Sequence, residues 1–221
     1  MKRQLSIALG MLCLWTGAVL AADAAHVSAP APAPVITVGD SWTYQYTDLW
    51  KHTPGNLNRI DITAVDADGV HAEIRRAVGN ALVTRQRYSS DMNPIDRGKM
   101  HFAPAFGRYA FPLEPGKTWK TDAIGDNKEA GKHWRFQVTG HAGEWEKITV
   151  AAGQFDAIKI DIVGYYQLEM VNERAGSGTL RETLWYAPSV QNFIKLEYQD
   201  TDAQGRLFNR DAWELTAFVR K

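Results

Sequence analysis

"FDAIKIDIVGYYQLEM", residues 155–170, is the stretch whose reading decides the fold. Ile158, Ile160, Ile162, Tyr166, Leu168 and Met170 occupy alternate positions, with Lys159, Asp161, Gln167 and Glu169 between them. Helical spacing would scatter those isoleucines around a cylinder, whereas period two gathers them on one face of a long strand. Val163 and Tyr165 break the rule, being apolar on the polar side.

The same alternation runs through "NRIDITAV", "VHAEIRRAV", "HWRFQV", "FIKLEYQ" and "WELTAFV". Turn signals separate these runs: "DADG" (66–69), "VGN" (78–80), "RAGSG" (174–178) and "DTDAQG" (200–205). Glycine and Asx residues supply the backbone angles that tight reversals need. About ten strands with short connections and few or no helices imply an all-β, predominantly antiparallel chain, because parallel neighbours would need crossovers.

Two short elements share an outline: "VGDSWTYQY" (38–46) and "PGKTWKT" (115–121), each a glycine, a polar residue, a hydroxyl residue and a tryptophan. In both, the glycine ends a turn and the tryptophan, Trp42 or Trp119, is the first inward residue of a strand. Burying an indole of about 150–250 Å² contributes up to about 4–6 kcal/mol, enough to fix strand register. Between the two lies "DMNPIDRGKMHFAPAFGRYAFPLEPG" (91–116), proline-rich yet too apolar for a solvated linker. It reads as a cap, near 91–115, folded over the apolar face of the sheet and joining two similar halves of a single β domain spanning 36–221.

The chain starts with Lys2 and Arg3, a short apolar run "IALGMLCLWTGAVLA", and small residues at Ala21, Ala22 and Ala24. That order is a secretory signal peptide over 1–24. A Pro/Ala-rich spacer, 25–35, follows as extended chain. The single cysteine, Cys13, sits inside the leader behind Leu12, where a lipid-attachment box has a small residue. The expectation is an exported bacterial protein, periplasmic or extracellular, not lipidated, without disulfides and not membrane-spanning after cleavage. With 25 basic and 25 acidic residues and no like-charge run, nothing recruits nucleic acid.

"EWEKITVAAGQFDAIKI" (144–160), "ETLWYAPSVQNFIKLEYQDTDAQG" (182–205) and "FPLEPGKTW" (111–119) resemble secreted bacterial proteins of the domain-of-unknown-function 3108 kind. The resemblance extends over most of residues 38–218, and Gln191-Asn192 stand where that group commonly turns on glycine. The group is similar in turn to the periplasmic lipoprotein-carrier superfamily. What this implies is a curved antiparallel sheet forming a half-barrel or flattened barrel, with no catalytic residues to carry over.

Chemistry is sparse. No two of the six histidines have zinc-protease or His-x-His spacing. His133 and His141 stand near Glu144 and Glu146, an arrangement that surface histidines beside a turn explain equally. Ser177 in "AGSGTL" lacks the nucleophile-elbow spacing. No metal, cofactor or catalytic residue is assigned, so the chain reads as non-enzymatic. The aromatic wealth instead suggests binding of a lipid-like small molecule or an envelope protein, with the oligomeric state left open. Trp42, Tyr44, Met100, Phe102, Phe106, Phe111, Trp119, Ile160 and Tyr166 are the candidate lining of an apolar pocket. A glycan-binding or purely structural envelope module is the alternative, and an uncharacterised hydrolase a second.

Overall fold

The computed structural model describes residues 29–169 and 176–221. The leader, Cys13, His26, Met170 and the first half of the "RAGSG" reversal lie outside the described residues. Twelve strands and no helix are found among those described. They are β1 Ser41–Asp48, β2 Thr53–Asp66, β3 Gly69–Arg76, β4 Leu82–Tyr88, β5 Pro94–Arg97 and β6 Met100–Ala103, then β7 Thr118–Asn127, β8 Lys132–Val150, β9 Gly153–Glu169, β10 Ser177–Ala187, β11 Asn192–Asp202 and β12 Leu207–Val219.

Each strand pairs antiparallel with its neighbour in sequence, and β1 pairs with β12, closing a barrel. The expected half-barrel of about ten strands is thereby corrected. Two strands escaped the count because β5 and β6 are four residues each, too short to show a period, and are bracketed by Pro94 and Pro104. Closure escaped because it rests on pairs such as Ser41 with Val219, which no local signal reports.

Alternation places the core inside. Ile158, Ile160 and Ile162 are fully buried, as are Leu184 on β10 and Leu215 on β12. Valine, isoleucine and aromatic residues suit such half-buried pleated positions. At the β2–β3 reversal Gly69 (φ 127°) is obligatory, since a Cβ there would lie 2.2 Å from the Tyr88 carbonyl oxygen.

Six strands follow each Gly-x-Ser/Thr-Trp element, Trp42 opening β1 and Trp119 opening β7. Both indoles face inward and tie a loop to the wall. The Trp42 N–H donates to the Val190 carbonyl at 3.0 Å, and the Trp119 N–H to that of Gly107 at 2.8 Å. They are structural corners, Trp42 fully buried and Trp119 partly so.

Strand direction gathers the 104–117 loop, the 188–191 turn, the described segment 29–40 and the C-terminal residues 220–221 at one end of the barrel, which is plugged. The 91–116 stretch contributes β5 and β6 to the wall, and its remainder turns inward. Tyr109 and Phe111 stack at 5.4 Å, and both meet Tyr186 edge-on. Leu113 pairs with Ala31 through two backbone hydrogen bonds of 2.7 and 2.8 Å, so the expected spacer is docked chain from Ala31 onward. The buried Asp40 accepts from the backbone N–H of Thr37 and Lys221, both at 2.8 Å, and from Arg220 at 2.5 Å. Arg220 also donates to the Val35 carbonyl and the Gln191 amide, clasping the segment before β1 to the 188–191 turn.

Candidate functional site

A buried ion pair crosses the interior. Arg108, from the inward loop, donates to both carboxylate oxygens of Glu182 on β10, the Nη2–Oε2 contact being 2.9 Å. Both side chains are almost wholly out of water. Burial works against the Arg108 charge, but Glu182 outweighs it and the guanidinium is held above its ordinary pKa. Beside it a void of about 60 Å³ is lined by Ile60, Ile74, Tyr88, Arg97, Trp213 and Arg108 itself, among others. That is room for a few waters, against the ~300–1,000 Å³ of a ligand pocket.

The nine candidate residues fall into separate packing groups. Trp42, Tyr44 and Ile160 have no exposed surface; Tyr44 stacks on Phe193 at 4.5 Å and donates to its carbonyl at 2.8 Å. Phe111 belongs to the plug, and Trp119 lies over Gly140. Phe102 and Phe106 pack with Phe136 at 5.6 and 6.0 Å, and Phe136 in turn meets Tyr166 at 6.2 Å. Met100 approaches this group across Gly125. None of the nine lines the interior void.

The open end, opposite the plug, mixes carboxylates with aromatic rings at its inward positions. Tyr46 and Asp48 on β1, Tyr198 and Asp200 on β11, and Asp211 and Trp213 on β12 occupy inward positions there. Burial pushes the Asp211 carboxyl up to about 6; Asp200, Glu182 and Asp48 add to the rise, and Arg97 opposes it. Among the described residues Asp211 makes no hydrogen bond or ion pair from its side chain.

A different cavity lies outside the barrel. Two contiguous depressions of about 530 and 920 Å³ run across the outer face of β7–β11, sharing Gln137, Tyr165, Thr179 and Thr201. Gly125, Gly140, Gly164 and Gly178 occupy inward positions of this wall. A Cβ on Gly164 would lie 2.1 Å from the Gln137 carbonyl oxygen, and one on Gly178 2.0 Å from that of Thr201. Glycine at these inward positions lets backbone and side chains approach more closely than any Cβ would allow, directly beneath the outer trough.

Tyr165 stands in that trough with 62% of its surface exposed, and Val163 with 40%. Amides and hydroxyls surround them, and Arg135 faces Asp122 at 3.6 Å. Sequence reasoning left out Tyr165 and Val163, yet their breach of alternation was the signal. His133 lies 3.3 Å from Asp126 on the outer surface, and no group of three metal-ligating side chains converges among the described residues.

Fold and site together define a closed, twelve-stranded antiparallel barrel with one plugged end and a troughed wall. No protein-family model matches the chain, and no curated protein matches it. Among solved structures, a provisionally named lipoprotein of Parabacteroides distasonis is similar, with TM-score 0.53 and 13% identity over 87% of this chain and 100% of that one. A provisionally named exported protein of YmcC-like fold from Bacteroides fragilis gives 0.44 and 13% over 87% and 100%. The hypothetical lipoprotein YmcC of Escherichia coli gives 0.42 and 8% over 84% and 89%. The first shows a shared fold; the resemblance to the 3108 group and the lipoprotein carriers has no family match behind it.

Proposed function

We propose that the chain is an exported, non-enzymatic cell-envelope protein whose barrel is a filled scaffold and whose outer trough holds a glycan strand. The leader pattern at 1–24 supports export, and the names of the fold neighbours agree with it. Residues 36–221, with the docked 29–35 strap, form the single mature domain, its two six-strand halves each begun by a tryptophan corner.

One observation carries the glycan reading: an exposed tyrosine ring in a trough of about 920 Å³ among Gln137, Thr139, Thr179, Gln199 and Thr201. An aromatic face covers the C–H side of a sugar ring while amides and hydroxyls exchange hydrogen bonds with its rim. The apolar-ligand reading requires Trp42, Tyr44 and Phe111 to part from close packing, with only about 60 Å³ void at the start.

Soluble peptidoglycan fragments and capsular oligosaccharides titrated by NMR should shift Tyr165, Thr179 and Gln137 resonances together, and Tyr165→Ala should abolish the response. A stoichiometric acyl chain recovered by lipid extraction and mass spectrometry would overturn the proposal in favour of an apolar carrier.

A further inference from the structure

Ranks of outward side chains cross the trough at right angles to its strands. One rank runs Lys120 on β7, Thr139 on β8, Val163 on β9, Arg181 on β10 and Gln199 on β11, each directly opposite the next. The neighbouring rank, two residues along each strand toward the open end, sets Gln137, Tyr165 and Thr179 side by side. Lys120 and Arg181 therefore stand three strand spacings apart, roughly 14 Å, with Val163 and Tyr165 presented from β9 between them.

Five charged side chains line the trough, and they are not balanced: Lys120, Arg135 and Arg181 are positive, Asp122 and Asp202 negative. Asp122 faces Arg135 at 3.6 Å and accepts from the Gln137 amide at 3.3 Å. Asp202 has Arg206 at 2.6 Å, a cation outside the trough, and accepts from the backbone N–H groups of Gln204 and Arg206. On the rank nearer the plug, Asp161 and Glu197 have their own lysines, Lys159 at 3.5 Å and Lys195 at 2.8 Å. Every carboxylate at hand thus has a cation. Lys120 and Arg181 are exposed and, among the described residues, make no ion pair and no side-chain hydrogen bond. Arg210, which continues the rank beyond Gln199, is a third such cation.

We propose that the trough selects an acidic glycan, its sugar carboxylates against Lys120 and Arg181 and its C–H faces against Tyr165 and Val163; this deepens the glycan reading above and rests on it. The Arg181 guanidinium presents a planar fork that fits a carboxylate, and the Lys120 ammonium a point charge. Thr139, Thr179 and Gln199 are left for the sugar hydroxyls. A single-stranded nucleic acid also pairs cations with rings, but it calls for a succession of stacking faces along a continuous basic groove. The Tyr165 ring between two separated cations matches a sugar acid instead.

The test titrates the mature protein with tetragalacturonate and with its methyl ester, the same chain without charge, following the Tyr165 and Thr179 resonances. Tetragalacturonate should bind about tenfold tighter than the ester at low salt, and the two should converge at about 1 M salt, where the screening length falls to about 3 Å. Lys120→Gln and Arg181→Gln, at exposed positions where folding is not at stake, should each weaken tetragalacturonate binding about threefold, and the double variant about tenfold, with the ester unaffected. Equal affinity for acid and ester, or an unchanged tetragalacturonate response in the double variant, would overturn the acidic preference and leave the glycan reading standing. No response to either chain would overturn both. Full displacement by inorganic phosphate at matched ionic strength would mean a free-anion site, and equal binding of oligothymidylate a general polyanion site; either result sinks the proposal.

Discussion

The two ends of the barrel are built from the same strands and differ in what their inward positions hold. At the plugged end, indole, tyrosyl and aliphatic side chains fill the lumen, and the buried Asp40 and Glu182 have partners, whereas the buried Tyr109 hydroxyl and Trp145 indole N–H have none among the described residues. At the open end the inward positions carry Asp48, Asp200 and Asp211, and the rim leaves Trp50 and Phe208 in water. Stability is concentrated where the lumen is filled, which leaves the open end free to carry exposed rings and a carboxylate with a raised pKa.

The sharpest way to break this contrast is at the ion pair linking plug to wall. Arg108→Ala leaves Glu182 buried without its counter-charge and should cost about 3–5 kcal/mol in urea unfolding. The double replacement Arg108→Met with Glu182→Leu should recover most of that loss; if it does not, the pair does more than compensate burial.

Next come the tryptophan corners. Trp42→Phe removes a buried donor from the Val190 carbonyl and should cost about 2 kcal/mol, whereas Trp119→Phe, at a partly buried position, should cost about 1 kcal/mol. Equal losses would mean that the two corners are energetically alike despite their burial.

Asp211→Asn should act in the opposite sense. A carboxyl raised to about 6 from 3.8 gives a contribution to stability that is complete below about pH 4 and is lost as pH rises through 6. Asparagine stays neutral throughout, so the variant should be the more stable protein above pH 6, with no advantage near pH 4. The shift alone corresponds to roughly 3 kcal/mol, and with the side chain half in water about 1 kcal/mol is expected at pH 7.5. Thermal unfolding at the two pH values measures it. Smallest of all, Phe208→Ser at the open rim should change stability by less than about 0.5 kcal/mol.

How far the sequence revealed this architecture depends on the range of each signal. Alternation in 155–170 placed the isoleucine face correctly, and the paired glycine–tryptophan elements marked where β1 and β7 begin. Barrel closure stayed hidden because it joins residues at opposite ends of the chain. The plug was legible as an apolar segment, but its means of attachment was not, since Arg108 meets Glu182 across 74 residues. Gln191 shows a local signal surviving an unusual residue. It takes the left-handed backbone (φ 57°) expected where the resembling group has glycine, and its amide oxygen accepts from the Val35 N–H at 2.7 Å and from Arg220. The trough was written as two exceptions to a pattern, Val163 and Tyr165, and exceptions carry little weight until the inward glycines, Gly164 between them and Gly178 on the next strand, are seen beneath the same outer face.

The pairing of the first strand with the last also governs the order in which the molecule can be completed. As the chain emerges from ribosome or export channel, β1 can zip to β2 at once, but its other edge waits for residues 207–219. Until then the growing sheet has two bare rims, open to pairing with another copy, and the seam and its Arg220 latch form last. Loss of a few residues from the C-terminus would therefore leave a nascent ribbon with sticky edges, where a cut of equal length in a hairpin would only shorten a turn.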